Sequence, residues 1–191
     1  MDDERILGTL RQVAATHEYV RITRSNEGAD TLYGFVVRAR PAWTLVAKCS
    51  EMMLDGFEAV RTDDIVKVRR QGTNSPAVRW LTLQGIWPPA APRTRIRLGT
   101  ARGVIDSAAV HYGMVGVHHE ENDTLNIGVP VGFRKKSFEL WEIDADGEWW
   151  GTPSRYRFER ISRITFGDRY TQVLRELAPP APPGLVAPHR P

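Results

Sequence analysis

The chain has 191 residues, 26% of them charged, and a net charge of +3 at pH 7, enough for one medium domain or two small ones with real cores. A hydrophobic fraction of 41% excludes a disordered chain, and the single cysteine, Cys49, excludes an intrachain disulfide and a cysteine-based zinc site. No apolar run approaches the roughly 18–20 residues that cross a bilayer, and the acidic start MDDERILGTL lacks the apolar stretch of a signal peptide, so a cytoplasmic location is expected.

In chain order, Glu4–His17 carries Ile6, Leu7, Leu10, Val13 and Ala14 on one helical stripe, with Asp2 and Asp3 where negative charge favours a helix N-terminus. From Tyr19 the period changes to two, and Tyr19–Arg24 reads as a strand. SNEGAD turns the chain into a second strand, Thr31–Ala39, with Gly34 inside it. A glycine there lets a strand bend or accept a close backbone neighbour. After the Arg38-Ala39-Arg40-Pro41 turn come Trp43–Cys49, an Asp55-Gly56 turn signal, Phe57–Arg61, Thr62-Asp63-Asp64 and Ile65–Arg69.

The second half repeats this plan. Thr100–His111 is a helix, Met114–His118 a strand, HEEND a turn, and Leu125–Phe133 a strand holding Gly128. Phe138–Ile143 follows, then Asp146-Gly147, Tyr156-Arg157-Phe158 and Ile161–Phe166. AATH at 14–17 returns as AAVH, GADTL as ENDTL, Gly34 as Gly128 and Ile65 as Ile161, all at intervals of about 93–96 positions. Matching order across a helix and several strands points to one unit written twice.

The resulting division is a first unit over 1–70, a Trp/Pro/Arg-rich linker over 71–98, a second unit over 99–178 and a Pro-rich tail over 179–191. Pro76–Leu83 forms a short helix in the linker, and Arg169–Ala178 a closing helix. IWPPAAPRTR disfavours regular structure, while Trp80, Ile86 and Trp87 ask for burial. PPAPPGLVAPHRP is expected to be disordered or polyproline-like.

A helix followed by five short strands, the second bent at a glycine, resembles the plan of Sm-like and SH3-like small barrels. With WPP in the linker and SRYRFERISRITFGDRY near the end, residues 1–178 resemble a group of bacterial, especially actinobacterial, tandem small-barrel proteins with no settled activity. The resemblance implies a mainly β fold of two five-stranded barrels, each preceded by an N-terminal helix. The turns that read a base in RNA-binding Sm proteins depart from that pattern here, being Arg38-Ala39-Arg40-Pro41 and Arg61-Thr62-Asp63-Asp64 in the first unit.

Two features stand out as candidate sites. Lys67, Arg69, Arg70, Arg79, Arg93, Arg95, Arg97 and Arg102 occur with no acidic residue between Asp64 and Asp106. Such a run could follow a phosphate backbone, or be a solvated stretch paired with the acids of the units. Trp141, Trp149 and Trp150 lie among Glu139, Glu142, Asp144, Asp146 and Glu148. If Trp149-Trp150 is extended, one ring is buried and the other exposed, a surface for a basic or Pro-rich peptide of a protein partner. His118 and His119 alternate to opposite faces and do not chelate one ion together, Cys49 reads as a buried small hydrophobe, and no catalytic or nucleotide-loop motif occurs. The expectation is a non-catalytic binding or adaptor protein without cofactor or metal, engaging a protein partner. RNA or single-stranded DNA binding, or a structural homo-oligomer, stand as alternatives, and no membrane is involved.

Overall fold

The computed structural model describes residues 2–119 and 124–185. The first half comprises α1 (Asp2–Thr16), β1 (Tyr19–Arg24), β2 (Leu32–Ala39), β3 (Trp43–Ser50), β4 (Met53–Arg61), β5 (Ile65–Gly72) and α2 (Pro76–Leu83). The second comprises α3 (Ala101–Tyr112), β6 (Val115–His119), β7 (Thr124–Phe133), β8 (Ser137–Glu142), β9 (Ser154–Arg157), β10 (Arg163–Phe166) and α4 (Arg169–Leu177). Most of the expected HEEND turn, residues 120–123, lies outside the described residues.

All ten strands join one antiparallel sheet in the order β5-β1-β2-β3-β4-β10-β6-β7-β8-β9. Each half therefore uses the same internal order, fifth strand, first, second, third, fourth. The repeat extends to irregularities. A bulge falls between Val36 and Arg38 in β2 and between Pro130 and Gly132 in β7. A Cβ on Gly34 would stand 2.1 Å from the Ala47 carbonyl oxygen, and one on Gly128 2.1 Å from that of Trp141. Glycine is required at both places by close backbone approach.

The mainly β class is as expected, but the sheet is open and neither half closes into a barrel. The physical reason is the partner of β4. Instead of returning to β5, it pairs with β10 of the other half, matching Phe57 with Phe166 and Val60 with Arg163. The largest core lies behind this joint, where Trp43, Leu45 and Ala59 pack with Val104, Ile105, Phe138, Leu140, Ile164 and Phe166. Arg61 ties the halves further by donating to the carbonyls of Ile161 (2.7 Å) and Phe158 (2.8 Å).

Asp55-Gly56, expected as a turn, sits inside β4. Gly56 has φ +68°, and a Cβ there would meet the Asp168 backbone nitrogen at 2.4 Å, so this glycine admits the start of α4. Asp55 Oδ1 accepts from the Arg169 N–H at 2.8 Å. The actual β3–β4 turn is Glu51-Met52, both with positive φ, an arrangement that ordinarily favours Asn-Gly.

Each half ends in a helix lying on the same face of its sheet. α2 covers Phe35, Ala47 and Cys49, and α4 covers the region of Val129 and Trp141. Both helices are followed by a proline segment, PPAAP at 88–92 and PPAPP at 179–183. Of the Pro-rich tail, residues 179–185 are described and residues 186–191 lie outside the described residues; Leu185 is buried, and Ala178 packs in the same cluster. Trp80 and Ile86 are exposed, while Trp87 is partly buried against the first-half cluster.

Candidate functional site

The outer face of β1, β2 and β5, opposite α1, presents a row of cationic and aromatic side chains. Alternation in β1 sends Val20 and Ile22 into the core under α1, leaving Tyr19, Arg21 and Thr23 on the other face. Antiparallel register places Arg21 opposite Tyr33 on one side and opposite Arg69 on the other, with Thr23 opposite Lys67. Directly opposed residues share a face, so Tyr33, Arg21 and Arg69 form one line across three strands. Arg21, Thr23, Lys67 and Arg69 border a shallow depression, and among the described residues no carboxylate lines it.

Tyr33 is 41% exposed. The Arg21 guanidinium lies 5.8 Å from its ring centroid, and Tyr19 stacks on it at 6.5 Å and 27° between planes. Tyr19 is held in turn by donating its hydroxyl to the Cys49 carbonyl at 3.1 Å, and burial pushes its ionisation up to about 12. The result is a fixed aromatic pair beside three cations, able to stack a planar group while neutralising the charge attached to it.

The arginine run does not converge as a whole. Arg69 belongs to the row, but Arg70, its neighbour in β5, points to the α1 side, where its Nε donates to Glu18 at 2.8 Å. Arg79 is exposed on α2. The Arg93 backbone hydrogen-bonds the Tyr112 hydroxyl, and Arg102 lies 5.2 Å over the Phe133 ring. Arg97 is paired with Asp106, whereas Arg95 approaches Arg38 and Arg40 at a separate place.

The tryptophans divide as alternation requires. Trp149 packs into a cluster with Trp141, Val129, Leu174 and Leu185, while Trp150 is 48% exposed. Trp149 Nε1 donates to the Pro179 carbonyl at 3.0 Å, and Trp141 Nε1 to that of Trp150 at 2.6 Å. From the chain's own C-terminal segment, Ala178 and Leu185 pack in this cluster. The acids around it do not gather on it. Glu142 is buried, accepting from Tyr156 Oη (2.7 Å) and Asn126 (2.8 Å), Asp144 accepts from the Asp146 and Glu148 backbone, and Glu139 pairs with Arg155 at 2.9 Å.

Cys49 is buried beside Ala77, Val78 and Leu81, and burial pushes its thiol up to about 11. Among the described residues no group of three or more His, Cys, Asp or Glu could hold a metal ion, and no helix is long and apolar enough to cross a membrane. Sequence reasoning singled out Lys67 and Arg69 but missed Arg21 and Tyr33. The available signal was the SNEGAD turn, which pairs the two flanking strands and so brings Arg21 against Tyr33. No family model, curated protein or solved structure matches this chain.

Proposed function

We propose that the protein is a non-catalytic binding protein whose ligand is single-stranded nucleic acid, held on the outer face of β1, β2 and β5. The observation that carries this reading is the row of Tyr33, Arg21 and Arg69, with Lys67 beside it and, among the described residues, no carboxylate lining the depression. Bases stack on an exposed aromatic ring while cations follow the phosphates, and neither contact demands a particular sequence. We place the two halves as copies of one small-barrel-like module whose fourth strand is shared across the joint. Engagement of a protein partner through Trp141, Trp149 and the exposed Trp150 has less support, because Ala178 and Leu185 of the chain pack with Trp141 and Trp149, and Glu139, Glu142 and Asp144 nearby are engaged within the chain.

The test is fluorescence anisotropy of a labelled oligouridine against the full chain over a range of salt. Tyr33→Ala should weaken binding about tenfold, and Arg69→Gln should flatten the slope of log affinity against log salt by roughly 0.7. Absence of binding at low salt, or loss of affinity only in variants of Trp141 and Trp149, overturns the reading.

A further inference from the structure

A second cationic site lies where the β2–β3 turn meets the linker. The bulge between Val36 and Arg38 turns the strand so that Arg38 reaches the linker, where its Nη2 donates to the Ile96 carbonyl. Ile96 and Leu98 are buried in the shared core, and the arginines that alternate with them, Arg95 and Arg97, stay outside. Arg38, Arg40 and Arg95 thereby line one open cleft of about 610 Å³ together with Pro41 and Ala42.

Among the described residues no Asp or Glu lines this cleft, and Arg97, which also lines it, is already paired with Asp106. Arg38 Nε is buried without a hydrogen-bond partner among the described residues. Burial, followed by the charges of Arg95 and Arg40, pulls the Arg38 ionisation below its ordinary value. The repeat sharpens the contrast. Arg134, the counterpart of Arg40, lies 3.4 Å from Glu139, but the counterpart of Glu139 in the first half is Leu45. Arg38 itself is matched by Gly132. The first half carries an arginine where the second has glycine, and lacks the acid that the second half supplies. Arg38 is a partly desolvated cation beside two exposed ones, an arrangement that is costly without a counter-charge, and an anion arriving from solvent reduces that cost.

We propose that Arg38, Arg40 and Arg95 form a binding site for a phosphate group, contributed either by a free phosphate compound or by a nucleic-acid backbone. The site stands apart from the Tyr33 row and holds whether or not that row binds nucleic acid.

Thermal unfolding of the full chain tests it, comparing low-millimolar inorganic phosphate with chloride at matched ionic strength, for the native chain, Arg95→Gln and, as a control on the other surface, Arg69→Gln. Phosphate should raise the Tm of the native chain and of Arg69→Gln but not that of Arg95→Gln. In chloride alone Arg95→Gln should melt no lower than the native chain, because it relieves the crowding of Arg38. Phosphate therefore lifts the native chain above Arg95→Gln, an order that chloride does not give. Equal responses of all three proteins to phosphate, or no response of the native chain to phosphate or to added oligouridine, overturn the proposal. A response to oligouridine alone, lost in Arg95→Gln and kept in Tyr33→Ala, supports the site and assigns its phosphate to a polymer. A response to inorganic phosphate alone supports it and assigns a small anion.

Discussion

Glu58 of β4 and Arg163 of β10 face each other 3.7 Å apart across the line where the two halves of the sheet join, and both are buried. Lys48 approaches the same carboxylate at 3.8 Å, and Arg163 reaches the His118 Nδ1 at 2.9 Å. Burial raises the Glu58 ionisation despite these cations, so for this carboxyl desolvation outweighs their attraction. Removing one partner strands the other charge. Glu58→Gln should cost about 3 kcal/mol, whereas a joint replacement of Glu58 and Arg163 by Leu and Met should cost much less. Urea unfolding of the two variants decides this, and equal losses would refute it.

His118 sets an acid limit on stability. Burial, then the charges of Arg163, Arg24 and Lys48, pushes its ionisation down to about 2. Its folded value is below the ordinary value of 6.5, so its contribution is complete above that pH and is lost as pH falls towards about 2, by at most about 1.4 kcal/mol per unit. Glu58 works in the opposite sense, since its folded value is raised and its contribution is greatest below 4.5 and lost as pH climbs. His118→Asn keeps an acceptor for Arg163 and removes the titration. Unfolding free energies between pH 6.5 and 4.5 should fall for the native chain and stay level or rise for the variant.

The paired glycines should respond alike. Gly34→Ala and Gly128→Ala each drive a Cβ to 2.1 Å from a backbone carbonyl oxygen that no side-chain rotation relieves, and each should cost about 3 kcal/mol or more. Gly8→Ala, inside α1 with nothing within 4 Å, should stabilise by about 1 kcal/mol. Thermal melts of the three report the order, at about 2–4 °C per kcal/mol for a chain of this size.

The two free edges of the sheet, β5 and β9, are of the kinds that pair internally as β10 and β4, yet their surfaces do not match. At the joint β3 and β4 offer Trp43, Leu45, Phe57 and Ala59. The register puts Ser137, Glu139, Pro153 and Arg155 at the corresponding places beside β9, while β5 carries Lys67, Arg69 and Arg70. Charged edges discourage strand addition. Light scattering should give a single 21.6 kDa particle, and a dimer or a ladder of sizes would refute this.

Element positions were legible where the apolar period is local: the strand Tyr19–Arg24 and the helix Pro76–Leu83 match the sequence reading at both ends. Asp55-Gly56 misled because a glycine with positive φ serves a turn and a close approach equally well, and the approaching segment, Gly167-Asp168, lies over a hundred residues away. The joint itself left no local mark, since β4 and β10 read as ordinary short strands whichever neighbour they choose. The same limit governed the sites. Arg69, Arg95 and Arg97 drew notice as members of a charge run, but Arg21, Tyr33 and Arg38 join them only through register and a bulge.

The crossing of β4 onto β10 has a consequence for the covalent continuity of the chain. The link over residues 84–95 is mostly exposed, whereas the strand ladder, the buried Glu58–Arg163 pair and a common apolar core hold the halves directly. A protease that cuts near Pro88–Pro92 should therefore leave two fragments that migrate separately in denaturant and travel as one particle without it.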